Sequence, residues 1–295
     1  MLPEIVMGII LVGLALYVVL GGADFGAAAW ELAGGRGREH AHESMAPVWE
    51  ANHVWLIFVL TVTWTAFPVA FGSLASTLCV PLFLAGLGII VRGASYALRT
   101  ASTSERQLAA INAASVVASV VTPFMLGAAI GGIASGRVPV GNAAGDLVTS
   151  WLNPTSVAVG IVAVANSFYI SAVFLAGDAQ RRGDEPAAED YRTRALAMGA
   201  LSGGLAVAGL IVLRGDARAL FDGLVGGDGT PAVALSALAG VATVALVWRR
   251  GYEPARLTAS LAVAAVIAGW ALAQQPQLLP GLTVREAAAP HDTLV

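Results

Sequence analysis

Eight apolar stretches, each long enough to cross a bilayer as a helix, recur along the whole chain, over residues 4–29, 49–71, 74–98, 107–134, 154–177, 194–213, 231–248 and 256–273. About 20 apolar residues in a helix span the roughly 30 Å of hydrocarbon in a membrane. A backbone in hydrocarbon must also satisfy its own N–H and C=O groups. The pattern therefore predicts an all-α fold, a polytopic membrane bundle of about eight transmembrane helices. Composition agrees, with 57% hydrophobic and 12% charged residues and a mean hydropathy of +0.76. A soluble domain carries about 25% charged residues. No linker long enough to separate domains interrupts the stretches, so residues 1–295 are expected to form a single integral membrane domain. The first 20 residues carry Glu4 in place of a basic leader and are expected to be the first span, not a signal peptide.

Pro68, Pro81 and Pro123 fall inside these stretches and are expected to kink their helices, not end them. Every one of the 16 basic residues is Arg. With the N-terminus outside, the inner loops hold 12 of them and the outer side 4, and that excess predicts an inner, cytoplasmic location for those loops and an outer one for both termini. The run from Tyr169 through Gly177 and Asp178 to Arg181 faintly echoes the run from Tyr17 through Ala23 and Asp24 to Arg36, as a four-plus-four duplication would require. No basic tail is present, so nucleic acid is not an expected partner. The single cysteine, Cys79, excludes an intrachain disulfide and any multi-cysteine metal site.

Chemistry-bearing residues concentrate early, where Asp24, Glu50, Asn52, His53, Trp30, Trp49, Trp55 and Trp64 lie on the first two spans and their connection. An acid inside a span costs about 2.5–3.5 kcal/mol on insertion scales, so one that persists faces a partner or a cavity. Asp24 sits among Gly21, Gly22, Ala23 and Gly26, small residues that let another backbone approach. Arg92, Tyr96 and Arg99 share one helical stripe, as do Glu50 and His53, and with the orientation above all reach the same inner level. The expectation is a half-buried cluster of acid, histidine and arginine opening inward, suited to proton entry. The plainer alternatives are that Asp24 or Glu50 caps or snorkels at a helix end, and that the Trp residues form an interfacial belt. His53 as a haem ligand lacks a second histidine on another span, since His40 and His42 with Met45 lie in a polar loop and His291 lies at the C-terminus.

The runs Gly21–Gly26, Pro47–Ile57 and Ala66–Pro68, with Arg92-Gly93 and Arg99, strongly resemble subunit II of cytochrome bd-type quinol oxidases. The tail, Leu278–Val284 with Glu286–Pro290, is similar to the segment that follows the last helix in that family. The resemblance implies an eight-helix subunit of the bacterial plasma membrane packed beside a haem-bearing subunit I. Haem b and haem d are then held by that partner, where quinol is oxidised and oxygen reduced to water, and none is ligated by this chain. Carried over by motif position, Glu50 stands at the mouth of a proton path with Asp24 and His53, and Trp55 beside an oxygen route. Arg92 and Arg99 are expected as structural counter-charges. Small accessory membrane subunits, lipid and quinone are further possible partners, although the outer loops 135–153 and 214–230 are short for a quinone-binding element. The competing reading is a proton- or cation-coupled transporter, against which stands the Ala/Val/Leu-rich second half with few polar residues.

Overall fold

The structure, a computed structural model, describes residues 1–32 and 49–294. Arg36, Arg38, His40, His42 and Met45 lie outside the described residues. In order, the helices are α1 (Leu2–Leu32), α2 (Trp49–Ala66), α3 (Pro68–Thr77), α4 (Cys79–Ala101), α5 (Glu105–Ala134), α6 (Pro154–Arg181), α7 (Glu185–Asp216), α8 (Arg218–Gly226), α9 (Thr230–Trp248) and α10 (Tyr252–Gln274). A short hairpin, β1 (Gln277–Leu279) with β2 (Leu282–Thr283), and two one-turn helices, α11 (Val284–Ala287) and α12 (His291–Leu294), complete the chain.

Several helices run past the apolar stretches because polar caps extend them. Ser104, Asn153 and Asp184 each accept a hydrogen bond from a first-turn backbone N–H of α5, α6 and α7 respectively. Among the described residues, α1, α4, α5, α6, α7, α9 and α10 are long and apolar enough to cross a membrane. The expected second span, 49–71, is divided. Its helix ends at Ala66, Phe67 takes a non-helical φ of −135° and ψ of 60°, and α3 starts on Pro68. Proline lacks an N–H and clashes with the preceding turn, and the first position of a helix is where it fits best. The expected kink at Pro68 is therefore a helix start, and Pro81 likewise sits in the first turn of α4. Only Pro123 is enclosed by its helix.

Packing repeats after four spans. In the first half α1 packs on α2 and α5, and α4 on α5; in the second, α6 packs on α7 and α10, and α9 on α10. The halves meet reciprocally, α1 on α6, with α5 on α6 and α10 on α1. A short helix follows the second span of each half, and Ala217 before α8 has φ −137° and ψ 60°, the same break as Phe67 before α3. The loop expected around 214–230 thus contains the counterpart of α3. At one end of the bundle Arg285 pairs with Glu4, and Ala289 donates its N–H to the Ala66 carbonyl at 2.8 Å. Both termini therefore share that end, which needs an even number of crossings and is met when α2, about 27 Å long at 1.5 Å per residue, joins the other seven.

Candidate functional site

The contact between the two halves positions the site. Gly26 of α1 lies so close to α6 that a Cβ there would stand 2.1 Å from the Ser167 carbonyl oxygen and 2.4 Å from the Ser171 hydroxyl. The Trp30 indole N–H, one turn on, donates to Ser171 Oγ at 2.9 Å. This approach seals Asp24, which is 0% exposed, eight residues and about 12 Å short of the end of α1.

Arg92 reaches Asp24 from α4. Its Nη2 donates to Asp24 Oδ1 at 3.0 Å and to the Asp24 carbonyl oxygen at 3.1 Å, and its Nη1 to Ser115 Oγ on α5 at 2.9 Å. Tyr96 Oη accepts from Nη2 at 2.7 Å and donates to Asp24 Oδ1 at 3.0 Å. Three helices therefore close on one ion pair. Burying a charge pair is tolerated only when the remaining donors and acceptors are also satisfied, and the guanidinium fork does this by serving acid, hydroxyl and phenol at once.

Around this pair the expected residues separate. His53 and Asn52 are buried on the inward face of α2, and the His53 ring lies between Tyr17 (centroids 5.9 Å apart) and Phe25 (5.7 Å). Glu50, one turn before His53, is exposed. The expectation of a single half-buried cluster is thereby corrected: Asp24 and Arg92 are fully buried inside the bundle, and Glu50 stands at its surface. The helix of the first span continues to Leu32, eight residues past Asp24. Arg99 is half-buried two turns beyond Arg92 on α4. Trp55 is half-buried with its ring edge against Phe58, centroids 6.2 Å apart. Trp64 is exposed and stacks on Phe71.

Ser115 was not among the expected residues. Its signal is the i, i+4, i+7 spacing of Ser115, Ser119 and Thr122, all 0% exposed on one face of α5. A second ionic group, also unforeseen, ties the opposite end: Asp216 accepts from Arg137 at 2.7 and 3.0 Å and from the Thr155 hydroxyl at 2.6 Å.

No group of three or more His, Cys, Asp and Glu side chains converges among the described residues. What the arrangement can do is hold a fixed charge pair within the membrane and carry a titratable ring between that pair and an exposed acid.

No curated protein matches the sequence. In three dimensions the chain is similar to the structure of bd oxidase from Geobacillus thermodenitrificans, with 25% identity, 99% of this chain and 91% of that chain covered, and a TM-score of 0.82. The family model of cytochrome bd terminal oxidase subunit II matches residues 2–295, so the chain belongs to that family.

Proposed function

We propose that this chain supports a cytochrome bd-type terminal oxidase as its subunit II, contributing assembly, a cytoplasmic proton entry and an apolar approach for oxygen beside a haem-bearing subunit I. The family match over residues 2–295 carries this reading. It also favours an oxidase over a transporter. The haems, held by subunit I, supply the electron transfer from quinol to oxygen.

Within this chain, Glu50 takes up a proton from water at the exposed start of α2. His53, one turn inward on the same face, passes it toward the interior beside Phe25, the neighbour of Asp24. Asp24, held by Arg92 and Tyr96, fixes the inner end of this relay in place. Arg92 is the counter-charge that makes this acid tolerable, and Arg99 extends the positive stripe toward the membrane boundary. The half-buried Trp55 and the apolar face of α2 offer dioxygen a route through hydrocarbon.

The test is Glu50→Gln in the assembled complex. Oxygen consumption should fall while haem content stays at the level of the unsubstituted complex. Unchanged turnover in a fully assembled complex removes Glu50 from the proton entry.

A further inference from the structure

One face of α9 is left uncovered by the other described residues. Ala234, Leu238, Val241, Ala245 and Trp248 recur at steps of four and three residues and are all exposed, Leu238 at 71%, Val241 at 70% and Trp248 at 67%. They form a continuous apolar stripe along the helix. At its end the chemistry changes abruptly, because Trp248 is followed by Arg249 and Arg250, both exposed.

A third guanidinium joins them from α7. Arg192 donates to the carbonyl oxygens of Val247 at 3.2 Å and Trp248 at 3.1 Å, and its Cζ lies 5.6 Å from the centre of the Trp248 ring. It thereby satisfies the last carbonyls of α9 and fixes the corner in place. One carboxylate, Glu189, is ion-paired there, shared between Arg192 at 2.6 Å and Arg250 at 2.9 Å. Arg249 pairs with no carboxylate among the described residues. Arg250 also has φ +61°, in the left-handed region where glycine is at ease and a side chain is strained. An arginine held there keeps its charge at the corner at a conformational cost.

We propose that this corner binds the phosphodiester headgroup of an anionic glycerophospholipid, with the α9 stripe as the bed for its acyl chains. The charge is complementary to a phosphate monoanion, the exposed indole suits the boundary between headgroups and hydrocarbon, and the stripe continues from that boundary into the apolar layer. Arg249 and Arg250 supply the attraction, while Arg192, already committed to carbonyls and Glu189, positions the surface.

The experiment is native mass spectrometry of the whole oxidase complex, with phosphatidylglycerol or phosphatidylcholine added in detergent and inorganic phosphate as a competitor. Phosphatidylglycerol should be retained in preference to phosphatidylcholine, and inorganic phosphate should not displace it. Each arginine removed should weaken retention about fivefold, so Arg249→Gln with Arg250→Gly should lose about 25-fold. Arg250→Gly relieves the left-handed strain, so folding should not suffer. Glu189→Gln, which removes the one paired carboxylate, should strengthen retention. Three results would each overturn the proposal: equal retention by the double variant, displacement by free phosphate, or loss of the partner subunit from the double variant, which would put a protein on this face.

Discussion

Arg92 and Asp24, 68 positions apart in the chain, form a salt bridge of 3.0 Å with side chains 1% and 0% exposed. If one charge is lost, the other stays buried without its counter-charge, facing neutral groups such as the Tyr96 hydroxyl. Substitutions at this pair should therefore act on assembly before they act on turnover.

Asp24→Asn leaves the guanidinium buried without its counter-charge, a change that costs about 3–5 kcal/mol. Most of the complex should fail to assemble, read as haem recovered per unit of membrane protein. Asp24→Asn combined with Arg92→Met removes both charges and should recover part of that loss. Arg92→Lys should not rescue function, because an ammonium cannot serve Asp24, Tyr96 and Ser115 with one planar fork. Normal assembly of Asp24→Asn would show that the pair is dispensable.

His53→Phe retains a ring between Tyr17 and Phe25 and removes the titratable nitrogens. Haem content should be unchanged and oxygen consumption should fall about as far as in Glu50→Gln. Turnover equal to that of the unsubstituted complex would take His53 out of the relay.

Gly26→Ala and Gly22→Ala form a matched pair on one helix. A Cβ at Gly26 meets backbone at 2.1 Å, whereas at Gly22 the nearest atom is Ser167 Oγ at 3.4 Å, ordinary contact. Gly26→Ala should force α1 from α6 at a cost of about 1–3 kcal/mol or more and reduce the yield of complex. Gly22→Ala should be tolerated. Equal yields from the two would contradict the close approach at Gly26.

Asp216→Ala removes the acceptor shared by Arg137 and Thr155. The loop between α5 and α6 should exchange its amide hydrogens faster, while haem content remains intact. With Arg137 one-third exposed, solvent screening holds the loss to about 1 kcal/mol. Unaltered exchange over residues 138–150 would mean that the loop is held by its packing alone.

The site was unevenly legible. Asp24, Arg92 and Tyr96 stand out because an acid or guanidinium within an apolar stretch is too costly to be incidental. Ser115 does not, since a hydroxyl in an alanine-rich helix is common and can satisfy itself on its own backbone, as Ser119 does on the Ser115 carbonyl. Glu50 was read into one half-buried cluster with Asp24 because hydropathy does not say which way a helix-end side chain faces, and the fold exposes Glu50 while it buries Asp24. Pro68 marks the place of the break at Phe67, but as a kink in the sequence reading, and only the structure shows a new helix starting there. Ala217 makes the same break with no such residue, and only its packing reveals it.

Taken alone, the amino-acid order determined the solvent, the helical class, the approximate spans and which charges had to find partners. Hydropathy and backbone hydrogen bonding are local, so they can be summed along the chain. Which helices meet, how deep each acid lies, and that Asp24 is closed off while Glu50 faces outward were decided by tertiary structure. The physical reason is that the energy of a charge in a membrane depends on the groups around it, and those groups arrive from distant helices brought together through contacts such as Gly26 on Ser167.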